Sequence, residues 1–109
     1  MLMERSNARV DLAMSIINVG EVYYRLCRLR GLEFADTFVT ELERGLRWVD
    51  VPNWLVLEAA RHKGRHRISY ADAFALATAI RENAPLVTGD PEFETFRDGQ
   101  IVQVEWLRI

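Results

Sequence analysis

The chain has 109 residues and a mass of 12.6 kDa, which is enough for one domain with one core. Half of its residues are hydrophobic and 28% are charged, a composition that excludes a disordered chain. No apolar run has the length of a membrane span, and Met1 to Arg9 lacks the apolar stretch of a signal peptide. The single cysteine, Cys27, excludes an internal disulfide and a cysteine metal cluster. We therefore expect one cytoplasmic domain, residues 1–109, without membrane association.

The positive charges are clustered, although the formal net charge of −2 gives no overall attraction to phosphate. The basic segment, residues 61–67, contains no acid and holds Arg61, His62, Lys63, Arg65, His66 and Arg67. A second cluster holds Arg25, Arg28 and Arg30. Either cluster alone is more simply a solvated helix end, since positive charge suits the carboxyl-terminal dipole. An acidic site nearby would instead make Arg65 and Arg67 candidate contacts for nucleic-acid phosphates.

The first half of the chain predicts a strand and two helices. Leu12 to Ile17 is a short apolar run typical of a buried strand. Asn18 can cap the following helix, with Glu21 reaching back to it, and Gly31 is placed to end that helix. The apolar stripe of Phe34, Phe38 and Leu42 predicts a second helix over 33–44.

The second half repeats this alternation. We predict a strand over 46–51, a helix that Pro52 opens and that ends near Gly64, and a buried helix that begins after the cap Ser69. Leu86 to Thr88 predicts a very short strand followed by a turn at Gly89-Asp90-Pro91, and Ile101 to Leu107 predicts a last strand. Alternating strands and helices favour an α/β fold, with a mainly parallel sheet covered by helices on both faces.

Three acids are placed where the strands of such a sheet end: Glu21, Asp72 and Asp90. Ligands of open parallel sheets collect at that edge. Carboxylates gathered there repel one another unless a cation neutralises them, and Mg²⁺ or Mn²⁺ suits oxygen ligands. The sequence therefore favours metal-assisted phosphodiester hydrolysis as the candidate chemistry.

Each acid also has a purely structural interpretation. Glu21 could complete a capping box with Asn18 and pair with Arg25, and Asp72 could stabilise a helix start after Ser69. Asp90 could be an ordinary turn residue. The spacing of His62 and His66 suits a metal, but Gly64 between them and the adjacent cations favour a solvated basic loop.

Three segments resemble the PIN domain, and their order and spacing are similar to toxin ribonucleases of the VapC type. The segments are Ile17-Asn18-Val19-Gly20-Glu21-Val22, Ser69-Tyr70-Ala71-Asp72-Ala73 and Leu86-Val87-Thr88-Gly89-Asp90-Pro91-Glu92-Phe93. The resemblance implies a metal-dependent endoribonuclease, the toxin of a toxin-antitoxin pair, that uses Mg²⁺ or Mn²⁺. It makes Glu21, Asp72 and Asp90 three of four metal-binding, catalytic acids, with Thr88 as a polar neighbour. We expect an RNA substrate, a protein antitoxin and a homodimer.

One departure from the family pattern concerns the amino terminus. The family's first acid ends a first strand, and this sequence has neither, since Met1 to Asp11 is typical of the end of a helix that connects such a strand to Leu12. We therefore expect an amino-terminally truncated PIN-like domain of reduced stability and activity. The alternatives are a non-catalytic remnant that binds a partner such as an antitoxin around Val22, Tyr23, Leu26 and Trp54, or a different cation-binding α/β domain.

Overall fold

A computed structural model describes residues 12–107, so the predicted helix end over Met1 to Asp11 lies outside the described residues. The chain divides into two compact units, Met1–Asp50 and Val51–Ile109. We call them the amino-terminal unit and the carboxyl-terminal unit. No helix within 12–107 has both the length and the apolar character needed to cross a membrane.

The amino-terminal unit is a helical pair joined to two short strands. The elements are β1 (Ala13–Ser15), α1 (Ile16–Arg30), α2 (Leu32–Gly45) and β2 (Arg47–Val49). β1 and β2 pair in parallel, with Ala13 opposite Arg47 and Ser15 opposite Val49. The two helices pack on each other, and their small buried core includes Val19 and Ala35.

The start of α1 differs from the prediction. The helix is capped by Ser15, whose Oγ accepts from the backbone N–H of Asn18 at 3.2 Å, so Ile16 and Ile17 belong to the helix and not to the strand. Asn18 lies inside the helix, and the predicted capping box between Asn18 and Glu21 is wrong. The end of α1 follows the prediction, because Gly31 accommodates a φ of 90° and its N–H donates to the carbonyl of Cys27.

The carboxyl-terminal unit contains the larger core. Its elements are α3 (Asn53–Arg65), α4 (Tyr70–Arg81), β3 (Leu86–Thr88), a 3-10 helix (Pro91–Phe96) and β4 (Val104–Trp106). Six of the twelve residues of α4 are buried, more than in any other helix of the described residues, and α4 packs on α3. α3 ends at Arg65, one residue from the predicted end near Gly64.

The end of β3 positions the turn that contains Asp90 and the 3-10 helix that follows it. β3 pairs in parallel with β4, with Leu86 opposite Val104 and Thr88 opposite Trp106. The chain then enters the 3-10 helix, whose Phe93 and Phe96 are each only 1% exposed. The buried rings of Phe93 and Phe96 pack in the core and thereby hold Asp90 and Glu92, which precede them in the chain, at its edge.

The α/β class and the parallel strand pairing are confirmed. Within 12–107 the strands form two parallel pairs, one in each unit. Both predicted carboxyl-terminal strands are present, β3 with the predicted bounds and β4 shorter than 101–107. Coverage of a sheet by helices on both faces stays a prediction.

Candidate metal centre

Asp72 lies in the first turn of α4, where Ser69 is the cap. The Ser69 Oγ accepts from the backbone N–H of Asp72 at 3.1 Å, as the sequence predicts. The Asp72 side chain makes no such capping bond, and its Oδ2 is buried and accepts no hydrogen bond within the described part of the chain. A buried carboxylate oxygen without a donor is costly, so its position calls for a cation or a proton.

Asp90 is held at the end of β3 by two local hydrogen bonds. Its backbone N–H donates to the Thr88 Oγ at 3.0 Å, and its own Oδ1 accepts from the backbone N–H of Glu92 at 2.9 Å. The first bond uses the hydroxyl of Thr88, which was predicted to be a polar neighbour of the site. The second makes Asp90 the cap of the 3-10 helix.

Glu92 is fixed by a contact from a distant part of the unit. Its Oε1 accepts from the backbone N–H of Ser69 at 3.1 Å, across 23 positions of sequence. The start of α4 and the turn after β3 are therefore tied together through Ser69 and Glu92. This contact brings the carboxylate of Glu92 to the side of Asp72.

Together these bonds assemble what we call the acidic triad: Asp72, Asp90 and Glu92. One carboxylate oxygen from each residue lies within 4.8 Å of the other two. Asp72 and Asp90 are half-buried and Glu92 is exposed, so one side of the acidic triad faces solvent. Of the three acids that the sequence predicts at one edge, Asp72 and Asp90 lie together here, and the convergence of Glu21 with them stays a prediction.

The electrostatics of the acidic triad disfavour three negative charges without a cation. Burial, proton sharing with Asp90 and Glu92, and the negative charges of those two groups together raise the pKa of Asp72 to about 8. When Asp72 is ionised, no group within 12–107 donates to its Oδ2. When Asp72 is protonated, its carboxyl can donate to Asp90 or Glu92. Near neutral pH the metal-free protein therefore holds a proton at this place.

The acidic triad fits a hard divalent cation. The three oxygens lie within 4.8 Å of one another, close to the largest separation of about 4.2 Å between two ligands that each sit about 2.0 to 2.1 Å from one Mg²⁺. The buried Asp72 Oδ2 would gain the positive partner that it lacks. Carboxylates alone, without cysteine or histidine, select Mg²⁺ or Mn²⁺ over softer metals.

Sequence reasoning missed Glu92 as a member of the site. The available signal was its spacing, because Asp90-Pro91-Glu92 places two acids around a proline whose φ is fixed. Such a pair can present both carboxylates to one ligand. The link to Ser69 had no local signal.

Three further residues were predicted to belong to the site: Glu21, Arg65 and Arg67. Glu21 lies on α1 in the amino-terminal unit, where its carboxylate pairs with Arg25 at 3.5 Å, as the spacing predicts. Its role as a metal ligand stays a prediction. Arg65 and Arg67 are exposed at the end of α3 and just after it, and their contact with RNA also stays a prediction.

His62 and His66 of the basic segment make aromatic ring contacts. The His62 and His66 rings lie 6.4 Å apart, and His66 packs edge-on against Phe96 at 4.8 Å. Burial lowers the pKa of His62 and so favours the neutral ring. These contacts belong to the packing of α3 on the 3-10 helix.

Comparison with known proteins agrees with this geometry. No curated protein and no solved structure matches the sequence. A family model described as PIN domain matches residues 2–98, a range that contains all three acids of the triad. PIN domains are typically metal-dependent nucleases that act on RNA. Because the match covers most of the chain, this protein belongs to the PIN domain family.

Proposed function

We propose that this protein is a Mg²⁺- or Mn²⁺-dependent endoribonuclease of the VapC type, the cytoplasmic toxin of a toxin-antitoxin pair. The observation that supports the nuclease activity most directly is the acidic triad, in which three carboxylates meet and Asp72 Oδ2 is buried with no donor among the described residues. The PIN family match supplies the reaction class. The match also includes residues of both units, and we propose that they belong to one domain.

Asp72, Asp90 and Glu92 are the proposed ligands, with Glu21 as a further one. When bound, the cation supplies positive charge that stabilises the developing charge on a phosphate during hydrolysis. The chain's own residues prepare the ligands. Thr88 fixes the backbone of Asp90, and the Ser69 N–H fixes the carboxylate of Glu92. Because these bonds exist before a ligand arrives, little ordering is needed at binding.

Cleavage of a labelled RNA with Mg²⁺ or Mn²⁺, and with EDTA, tests this function. Asp72→Asn should reduce cleavage by at least about a hundredfold, because an amide keeps the shape but not the charge. Glu94→Gln is the matched control: Glu94 lies on the same 3-10 helix as Glu92 but pairs with Arg97 at 2.6 Å. Its cleavage rate should stay near that of the parent protein. Cleavage that persists in EDTA and in Asp72→Asn would contradict the proposal.

Cation binding gives a readout that does not depend on turnover. Titration calorimetry with Mn²⁺ should give one site that weakens in Asp72→Asn and in Glu92→Gln but not in Glu94→Gln. Glu21→Gln tests the fourth proposed ligand in the same assay. Unchanged Mn²⁺ affinity in Glu21→Gln would remove Glu21 from the ligand set and leave the acidic triad.

The toxin role, the antitoxin partner and the homodimer need separate experiments. Induced expression should arrest growth, and the arrest should require Asp72. Sedimentation of the purified chain should give the mass of a dimer. A chain that binds Mn²⁺ and cuts RNA without arresting growth would retain the nuclease proposal and exclude the toxin role.

A further inference from the structure

The basic segment contacts the acidic triad through one peptide group. The ammonium of Lys63 donates to the carbonyl oxygen of Ile68 at 3.0 Å. That carbonyl belongs to the same peptide group as the Ser69 N–H, which donates to Glu92 Oε1 at 3.1 Å. A single peptide unit thus has a cation at its oxygen and a carboxylate at its N–H.

These contacts limit the distance between the two charges. The oxygen and nitrogen of one peptide group are only about 2.3 Å apart, so Lys63 Nζ lies within roughly 8 Å of Glu92 Oε1. This is about one Debye length at physiological ionic strength, so the two charges interact. Within 12–107 no ion pair joins Lys63 to the acidic triad. Lys63 therefore stands beside the acids without taking the place of a metal among them.

The other cations of the basic segment are placed differently. Arg61 pairs with Glu58 on its own helix. Arg65 and Arg67 are exposed, and within 12–107 no hydrogen bond or ion pair connects either one to the acidic triad. Lys63 is thus the member of this segment whose position relative to the acids is fixed by contacts. Its ammonium has three donors and uses one on Ile68, which leaves two for a ligand.

We propose that Lys63 is the phosphate-binding residue that holds single-stranded RNA beside the acidic triad, ahead of Arg65 and Arg67. The inference rests on the proposed nuclease function. A strand bound at the acidic triad brings further phosphates next to carboxylates, and those phosphates require a positive partner near Glu92. Lys63 supplies that partner as a point charge that the Ile68 carbonyl holds in place. Lys63 contributes to RNA binding and takes no part in the cleavage of the phosphodiester bond.

The test compares Lys63→Met with Arg61→Met in an Asp72→Asn background, where a labelled single-stranded RNA remains intact. Both substitutions remove one positive charge from α3 and keep an unbranched apolar stem. Affinity is measured over a range of salt concentrations. Lys63→Met should lower the slope of log affinity against log salt by about 0.7, the value for one phosphate contact on a single strand. Arg61→Met should change the slope by less than half as much.

Two further measurements separate this role from a structural one. In the cleaving protein, Lys63→Met should raise KM several-fold with kcat within about twofold of the parent value, and Lys63→Arg should restore KM. A salt slope unchanged in Lys63→Met would overturn the proposal. So would a melting temperature that falls in Lys63→Met with no change in slope. If Lys63→Met does not fold, Lys63→Arg and Lys63→Gln give the same comparison of charge. If no variant cuts RNA, the nuclease proposal fails, and the salt slope still decides the role of Lys63.

Discussion

The backbone N–H of Ser69 donates to the carboxylate of Glu92, 3.1 Å away. In a capping box this N–H would bind the side chain three residues into the helix, which here is Asp72. Because Glu92 takes that place from a distant turn, the carboxylate of Asp72 is available to the acidic triad. The same contact completes the cap of α4 and brings Glu92 into the acidic triad.

Replacement of the cap should weaken the carboxyl-terminal unit. Ser69→Ala removes the Oγ that accepts from the Asp72 N–H and leaves the backbone bond to Glu92 in place. Loss of a helix cap costs about 1 kcal/mol of unfolding free energy. Urea denaturation should show this loss in Ser69→Ala and little loss in Ser69→Thr, which keeps the hydroxyl. Equal stability of Ser69→Ala and the parent protein would contradict the assigned cap.

Local patterns in the sequence predict the elements of this site but not all of their contacts. The Ser69 cap and the strand Leu86–Thr88 are confirmed, because both are set by neighbouring residues. Two polar residues near the start of the first helix, Ser15 and Asn18, can each act as a cap. The cap is Ser15, because the helix starts at Ile16, two residues before Asn18. The contact between Glu92 and Ser69 had no signal of this kind, because the two residues are 23 positions apart.

Two glycines in the amino-terminal unit should respond in opposite ways to alanine. Gly31 has φ 90° and ψ 165°, a conformation that is nearly restricted to glycine, so Gly31→Ala should cost about 1 to 3 kcal/mol. Gly20 lies inside α1, and a Cβ added there meets no atom within 4 Å. Gly20→Ala should therefore stabilise the helix by about 0.5 to 1 kcal/mol. Denaturant unfolding of both variants checks the signs; a stabilising Gly31→Ala would refute the backbone assignment.

Two leucines on α3 give a matched test of the larger core. Leu55 is 1% exposed and belongs to the buried cluster, whereas Leu57, two residues later, is 58% exposed. Leu55→Ala should cost about 2 to 5 kcal/mol, because it leaves a cavity. Leu57→Ala should cost about 0.5 kcal/mol or less. Similar losses of unfolding free energy in the two variants would mean that α3 packs through another face.

The raised pKa of Asp72 predicts that the metal-free protein becomes less stable as pH rises. The unfolded carboxyl titrates near 3.9, whereas in the folded protein the pKa of Asp72 is raised to about 8. Between these values the folded state binds more protons than the unfolded state, so the free energy of unfolding contributed by this group decreases with pH. The decrease should level off above about pH 8. Melting temperatures in EDTA across this range measure it.

Two controls assign this pH dependence to the acidic triad. Asp72→Asn cannot titrate, so its melting temperature should lose this component of the decline, while Glu94→Gln should keep it. Mg²⁺ should raise the melting temperature of the parent protein most at the alkaline end, where Asp72 is ionised and binds the cation without releasing a proton. Asp72→Asn should not gain this alkaline stabilisation by Mg²⁺. If the melting temperature of Asp72→Asn declined with pH as much as that of the parent protein, another group would be titrating. That result would contradict the raised pKa of Asp72.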